Sequence, residues 1–260
     1  MPPFAPGSVW LVGAGPGDPG LLTVLALQAL TEADVVVYDA LVGEAVLALV
    51  RGERVFAGKR GGRPSTRQPD ITERLIALAR GGRRVCRLKG GDPCLFGRGG
   101  EEALALAEAG IPFRLVPGVT AAIAGLAYAG IPATYRETNS AIAFVTGHAS
   151  GGGLPDDVDW PALARALRVI VFYMPLRRLA DITGRLIAAG RAPETPAAII
   201  AKATTAEQRV VQTTLASAVT DAEGVAPPAL FVVGEVVRLA ERLAWFDPEG
   251  GARGLIEGRP

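Results

Sequence analysis

The stretch Val9-Trp-Leu-Val-Gly-Ala-Gly-Pro-Gly-Asp-Pro-Gly20 decides the fold class. Four apolar residues run into a turn of glycines and prolines, and Leu21 to Leu30 beyond it has helical spacing, so a buried strand hands over to a helix through a tight loop. Gly13 and Gly15 begin the G-x-G-x-x-G pattern of dinucleotide folds, but the third glycine position is occupied by Asp18. A carboxylate there would sit where a pyrophosphate needs backbone N–H groups and a positive helix end. Pro16 and Pro19 each remove a further N–H donor. NAD is therefore disfavoured, and a strand-to-helix turn with Asp18 near the helix start is the plain alternative.

Outward from this loop, strands and helices alternate. Val35 to Tyr38 is a run of strong strand formers closed by Asp39. Ile71 to Ala79 reads as a helix with Asp70 as its cap, Arg83 to Leu88 as a strand entering Gly90-Gly91, Glu101 to Ala109 as a helix, and Phe113 to Val116 as a strand. Such alternation implies parallel pairing through right-handed crossovers. After a polar connector, Ala133 to Asn139, strands are expected at Ala141–Thr146, Val169–Tyr173, Ala197–Ala201, Arg209–Thr214 and Leu230–Val233. Helices are expected over Leu176–Ala189 and Val236–Trp245. The expected organisation is an N-terminal α/β domain over 1–136, a C-terminal α/β domain over 137–248, and a loosely ordered tail over 249–260.

Composition narrows the function classes. With 49% apolar residues the chain of 260 is not a disordered one, and a formal charge of +1 gives no global electrostatic case for nucleic acid or an anionic membrane. Only Lys59, Lys89 and Lys202 among the 27 basic residues are lysines. The arginines that remain suit paired hydrogen bonds to an acidic substrate, although codon bias accounts for most of them. Two cysteines, Cys86 and Cys94, make no disulfide framework and read as packing residues. His148, the single histidine, cannot build a histidine-rich metal site, and no metal is expected. The N-terminus lacks a signal-peptide pattern, so the protein is expected in the cytoplasm. Leu115 to Tyr135 is uncharged, but Pro117, Gly118, Gly130 and Pro132 break it. What remains, Val119 to Ala129, is a small-residue helix suited to close packing on a sheet or ligand.

Several loops carry residues suited to chemistry. Gly58-Lys-Arg-Gly-Gly62 is either a carboxylate clamp or a solvated basic turn. Leu88 to Glu102 is rich in glycine, and Asp92 follows a strand, where parallel α/β sheets bind ligands. Glycines there let backbone approach an adenine or ribose closely. Arg98 and the Glu101–Glu102 pair mark a helix start, with the acids near its positive end. Asp39 is either a turn-former or a general base facing the same crevice. His148, after a second-domain strand, is a structural or a catalytic residue.

Taken in order, these loops resemble one family, the tetrapyrrole methylases. The resemblance rests on Gly13-Ala-Gly-Pro-Gly-Asp-Pro-Gly20, Tyr38-Asp-Ala-Leu-Val42, Gly58-Lys-Arg60, Arg87-Leu-Lys-Gly-Gly-Asp-Pro93, Phe96-Gly-Arg-Gly-Gly-Glu-Glu102 and Val116-Pro-Gly-Val-Thr-Ala121. Val145-Thr-Gly-His148, Val171-Phe-Tyr-Met174 and Trp245-Phe246 extend it from about residue 8 to 246. Within the family the chain is most similar to the branch that methylates uroporphyrinogen III. The resemblance implies an α/β fold of two domains, the first sheet mainly parallel and the second mixed, with S-adenosyl-L-methionine in the cleft between them, in a homodimer. It implies cofactor contacts at Pro16, Gly90, Gly91, Asp92, Leu95, Thr120, Ala121, Met174 and Ala203, with S-adenosyl-L-homocysteine as product. Family members often carry glycine at the last of these, so Ala203 should narrow the slot slightly.

The resemblance also implies Asp39 as proton acceptor and Lys59 as proton donor. The substrate's eight carboxylates give Arg60, Arg63, Arg98 and Arg136 plausible partners. Tyr135 and Glu137 around Arg136 depart from the family's histidine–arginine–aspartate run. The implied reaction is methylation at C2 and then C7, through precorrin-1 to precorrin-2, feeding sirohaem or cobalamin synthesis. A chain of 260 residues leaves no room for a further dehydrogenase and chelatase domain, so a stand-alone methylase is expected. The competing readings are another precorrin methylase, a same-fold RNA or diphthine methylase, and a non-catalytic S-adenosylmethionine sensor.

Overall fold

The structure, a computed structural model, describes residues 1–58, 68–149, 152–248 and 251–252. It divides into two units, Met1–Thr120 and Ala121–Pro260. The first holds β1 (Val9–Gly13), α1 (Val24–Glu32), β2 (Val35–Tyr38), α2 (Glu44–Leu47), β3 (Glu53–Phe56), α3 (Gln68–Arg80), β4 (Val85–Lys89), α4 (Gly99–Glu108) and β5 (Phe113–Val116). Its five strands are all parallel, in the order β3-β2-β4-β1-β5.

Alternation along each strand assigns the faces. Trp10, Val12, Val36, Cys86 and Leu88 pack with Leu30 of α1 and Val46 of α2. Val9, Leu11, Val35, Val37 and Val85 pack with Leu75 of α3 and Leu106 of α4. Both faces are thus covered, and each buried Val or Leu contributes ~1.5–3 kcal/mol relative to exposure. Thr23 caps α1 by accepting the Ala26 N–H at 3.1 Å. That helix starts at Val24 rather than Leu21, because Asp18 first caps a separate 3-10 turn, Pro19–Leu21, accepting the Gly20 N–H at 2.7 Å. Asp70 lies inside the first turn of α3 and is not its cap.

The second unit holds α5 (Ala121–Tyr128), β6 (Ile142–Thr146), α6 (Trp160–Ala166), β7 (Val169–Tyr173), α7 (Leu179–Ala188), β8 (Pro196–Ala201), β9 (Arg209–Thr214), α8 (Ala218–Asp221) and β10 (Ala229–Val233). Its sheet, β6-β7-β10-β8-β9, is mixed: β6 and β7 are parallel, and the other neighbours antiparallel. Ile170, Phe172, Ile199 and Phe231 face Trp160 of α6 and Ile182 and Leu186 of α7. Val171, Ala198, Ile200, Leu230 and Val232 face Ala122 and Leu126 of α5.

That last contact moves the division of the chain upstream of the boundary expected near 136–137. The small side chains of α5 sit close on the second sheet: a Cβ at Gly125 would lie 3.0 Å from Leu230 Cδ1 and 3.1 Å from Ala203 Cβ. Ile131 is buried in the same cluster, so the segment packs with the second unit. The expected closing helix is a 3-10 turn over Glu235–Leu239 followed by a short α-helix over Ala240–Leu243. Of the expected tail, Gly251–Ala252 pairs antiparallel with Phe246–Asp247, and the remainder lies outside the described residues. Among the described residues, no helix is long and apolar enough to cross a membrane.

Candidate active site

Because the first sheet is parallel, the loops after β1, β2, β4 and β5 leave from one edge, where such sheets carry ligand sites. Glycine lets three of these loops interlock. A Cβ at Gly13 would lie 2.5 Å from Gly118 Cα, and one at Gly118 only 2.3 Å from the Gly91 carbonyl oxygen. Gly15 and Gly91 exchange two backbone hydrogen bonds, of 3.2 and 2.7 Å. Asp92 ties the third loop in: Oδ2 accepts the Gly118 N–H at 3.1 Å, while Oδ1 accepts the Cys94 N–H at 2.8 Å. The β2 loop joins them at Gly90, where a Cβ would lie 2.7 Å from Leu41 Cβ. Pro16, Gly91, Asp92, Leu95 and Thr120 are all half-buried around this edge.

Asp39 closes β2 both as a turn-former and as part of a buried ion cluster. Its Oδ1 accepts the Leu41 N–H at 3.1 Å, and its Oδ2 lies 3.4 Å from Arg87 Nη2. Arg87 is buried in β4, donating from Nε to Glu102 Oε1 at 3.1 Å and from Nη1 to the Leu88 carbonyl at 3.1 Å. Lys89, two residues along the same face, reaches Glu102 at 3.3 Å. Burial holds the Lys89 ammonium below its ordinary range, with the Arg87 charge adding to it, while Glu102 and Asp39 pull the other way.

Arg87, Lys89 and Glu102 are absent from the residues singled out above for catalysis or binding. Their signal was the alternation Val85-x-Arg87-x-Lys89 in a strand covered on both faces, where charge demands a partner. Glu102 lies in the first turn of α4, as expected of a pair that marks a helix start, and is in addition wholly buried against β4.

Arg98 begins α4 in the left-handed region, φ 60°, and pairs with the exposed Glu101, its Nε donating at 2.9 Å. Phe96 is left-handed too, at φ 53°. Two such non-glycine residues within three positions mark a strained loop, a feature that collects at functional sites. Cys94 is exposed, so of the two cysteines only Cys86 is a packing residue. Lys59, Arg60 and Arg63 lie outside the described residues.

In the second unit, β7 and β8 both run antiparallel to β10, so the residues following them leave from one edge. Met174 sits there, exposed and left-handed at φ 53°. Ala203 lies between Lys202 and Thr204, which are left-handed at φ 46° and 66°. Thr204 is held by Gln208 Oε1, which accepts its N–H at 2.7 Å, and Gln208 Nε2 donates to the Tyr128 carbonyl at 3.1 Å. Ala121 begins α5 beside them, the next N–H, of Ala122, donating to the Tyr173 hydroxyl at 3.0 Å. Arg136 is exposed in a turn clasped by Asn139, whose Nδ2 donates to the Ala133 carbonyl at 3.0 Å. His148 is exposed, its backbone N–H donating to Thr146 Oγ1 at 3.2 Å.

Each unit therefore gathers its expected cofactor contacts at one edge of its own sheet, whereas the turn that carries Arg136 lies toward the opposite end of the second sheet, where Arg168, just before β7, donates to the Thr138 carbonyl at 3.2 Å. A family model for Tetrapyrrole (Corrin/Porphyrin) Methylases matches residues 8–219. The chain belongs to this family. It is 56% identical over 263 residues to a uroporphyrinogen-III C-methyltransferase of a Sinorhizobium species, covering 100% of this chain and 91% of that protein. Siroheme synthase 1 of Yersinia enterocolitica is 52% identical over 242 residues, which are 92% of this chain but 51% of that protein. The methylase chain thus spans about half the length of that relative. Among solved structures, a Thermus thermophilus uroporphyrin-III C-methyltransferase complexed with S-adenosylhomocysteine matches with a TM-score of 0.78 and 44% identity, covering 89% of this chain and 99% of that one.

Proposed function

We propose that this tetrapyrrole methylase is a uroporphyrinogen-III C-methyltransferase, methylating C2 and then C7 to give precorrin-2 by way of precorrin-1. The observation that carries the reading is the 56% identity to such an enzyme over the whole chain. The first unit's edge suits S-adenosyl-L-methionine, because Gly90 and Gly91 carry no side chain and leave backbone to meet an adenosyl group. The reading assigns cofactor contacts to Pro16, Asp92, Leu95 and Thr120 of this unit, and to Ala121, Met174 and Ala203 of the second. The Cβ of Ala203 is accommodated by Gly125, 3.1 Å from where a Cβ there would stand.

When bound, the cofactor supplies a methyl on a sulfonium, which an electron-rich pyrrole carbon takes while the carbon–sulfur bond breaks. The chain's part is alignment and proton removal. Holding the two reactants in line is worth up to ~7–11 kcal/mol in favourable cases. Asp39 accepts the proton, and Lys59 serves as donor. Arg60, Arg63, Arg98 and Arg136 meet substrate carboxylates, Arg98 by exchanging Glu101 for one. The same reading carries a homodimer acting in the cytoplasm, with no nucleic-acid or membrane partner.

Anaerobic incubation with uroporphyrinogen III and methyl-labelled S-adenosylmethionine tests it, counting methyls by mass spectrometry. Two methyls on the tetrapyrrole are expected. Cofactor binding without transfer would sink this substrate and send the search to later precorrins.

A further inference from the structure

Glu102 is wholly buried in the first turn of α4. An acid at that position gains from the positive helix end while remaining in water, so the helix alone gives no reason to bury it. A buried carboxylate is tolerable only when paired and hydrogen-bonded. Its partners lie on the strand: Arg87 Nε at 3.1 Å and Lys89 Nζ at 3.3 Å. On its far side, the Arg87 guanidinium faces Asp39 Oδ2 at 3.4 Å and the Val37 carbonyl at 3.4 Å. A rigid planar group thus bridges a wholly buried acid and one whose side chain is 24% exposed at the strand end. The other oxygen of Asp39 is occupied by the Leu41 N–H, so both oxygens of that carboxylate are anchored.

We propose that Glu102 is a positioning residue for methyl transfer: by fixing Arg87 it gives the Asp39 carboxylate a single orientation at the edge that carries the candidate site. The proposal rests on the reading of Asp39 as proton acceptor. Glu102 touches Arg87 and not Asp39, and it acts through the guanidinium. Arginine suits the bridge because its fork serves two carboxylates at once, which the point charge of a lysine does not.

Glu102→Gln tests it, with turnover measured on uroporphyrinogen III and S-adenosylhomocysteine binding by calorimetry. A loss of orientation lowers kcat by roughly 10–100-fold and moves the cofactor Kd by less than about threefold. In the Asp39→Asn background, where no oriented base remains, Glu102→Gln lowers single-turnover methyl transfer by less than about twofold further. Full additivity of the two losses, or an unchanged kcat in Glu102→Gln, overturns the proposal while leaving the role of Asp39 standing. An unaffected Asp39→Asn variant instead removes the role of Asp39, and this inference with it. Should Glu102→Gln fail to fold, Lys89→Met/Glu102→Gln keeps the buried charges balanced and is read in the same cycle.

Discussion

Gly118→Ala isolates the interlock of the first unit's loops. The added Cβ would lie 2.3 Å from the Gly91 oxygen, 2.7 Å from Gly13 Cα and 2.9 Å from Gly13 C, all backbone atoms. Ordinary contact begins near 3.4 Å, so the loops must separate by about 1 Å. No rotamer change can absorb this, and the Asp92–Gly118 bond and the Gly15–Gly91 pair lie in the path of the movement. Overpacking of this kind costs about 1–3 kcal/mol, a fall in Tm of roughly 2–12 °C for a chain of this size. Because the same loops are proposed to hold the cofactor, S-adenosylhomocysteine affinity should drop roughly tenfold or more, equivalent to about 1.4 kcal/mol. Differential scanning calorimetry and titration calorimetry read the two effects. Gly100→Ala is the control: it lies in α4 with no atom within 4 Å of its would-be Cβ, and should stabilise by ~0.5–1 kcal/mol. If Gly118→Ala matches that control in both stability and affinity, steric interlock is not what shapes these loops.

Asp34 and Arg84 pair at the opposite end of the first sheet, 2.7 Å apart, and the hydrogen bonds from Arg84 lower the Asp34 pKa from 3.8 to about 2. The folded value is depressed, so this contribution is fully present above about pH 4 and is lost as pH falls toward 2. Asp34→Asn should therefore lower the urea midpoint at pH 7 and converge on wild type as the pH is lowered through that window. The difference is small because the pair is partly exposed and screened. Tyr173→Phe withdraws the acceptor from the buried Ala122 N–H at the start of α5. It should destabilise the protein by ~1–3 kcal/mol in urea unfolding.

Strands were the most legible part of the molecule in sequence. Val35–Tyr38, Phe113–Val116, Val169–Tyr173 and Arg209–Thr214 lie where the apolar and alternating runs put them, since burial on a pleated face selects β-branched and aromatic residues. Helix ends were less so. Val236 to Trp245 reads as one helix, yet its first half is a 3-10 turn. The polar texture at Ala133–Asn139 suggested a boundary, but α5 joins the second unit through contacts with residues 198–232, which no local pattern reveals. The burial of Glu102 is hidden from sequence for the same reason. Its position announces a helix start, which the structure has, but its partners lie 15 and 13 residues upstream on β4. Glycine-rich loops were legible as a ligand edge, but their mutual interlock appears only once the parallel order brings Gly13, Gly91 and Gly118 side by side.

The strand order also sets a timetable for synthesis. Of the strands of its unit, β1 is the first to leave the ribosome, yet in the finished sheet it lies between β4 and β5, the last two made in that unit. Its partner β4 begins at Val85, so at roughly 5–20 residues per second β1 waits on the order of ten seconds for a neighbour. During that time Val9, Leu11 and Val12, all wholly buried in the end, have no strand beside them. β2 and β3 can pair at once, so the sheet grows from its β3 edge inward and β1 docks only once β4 is made. A nascent chain halted before β4 would therefore offer β1 to chaperones as an open apolar strand, and one that has passed β5 would not.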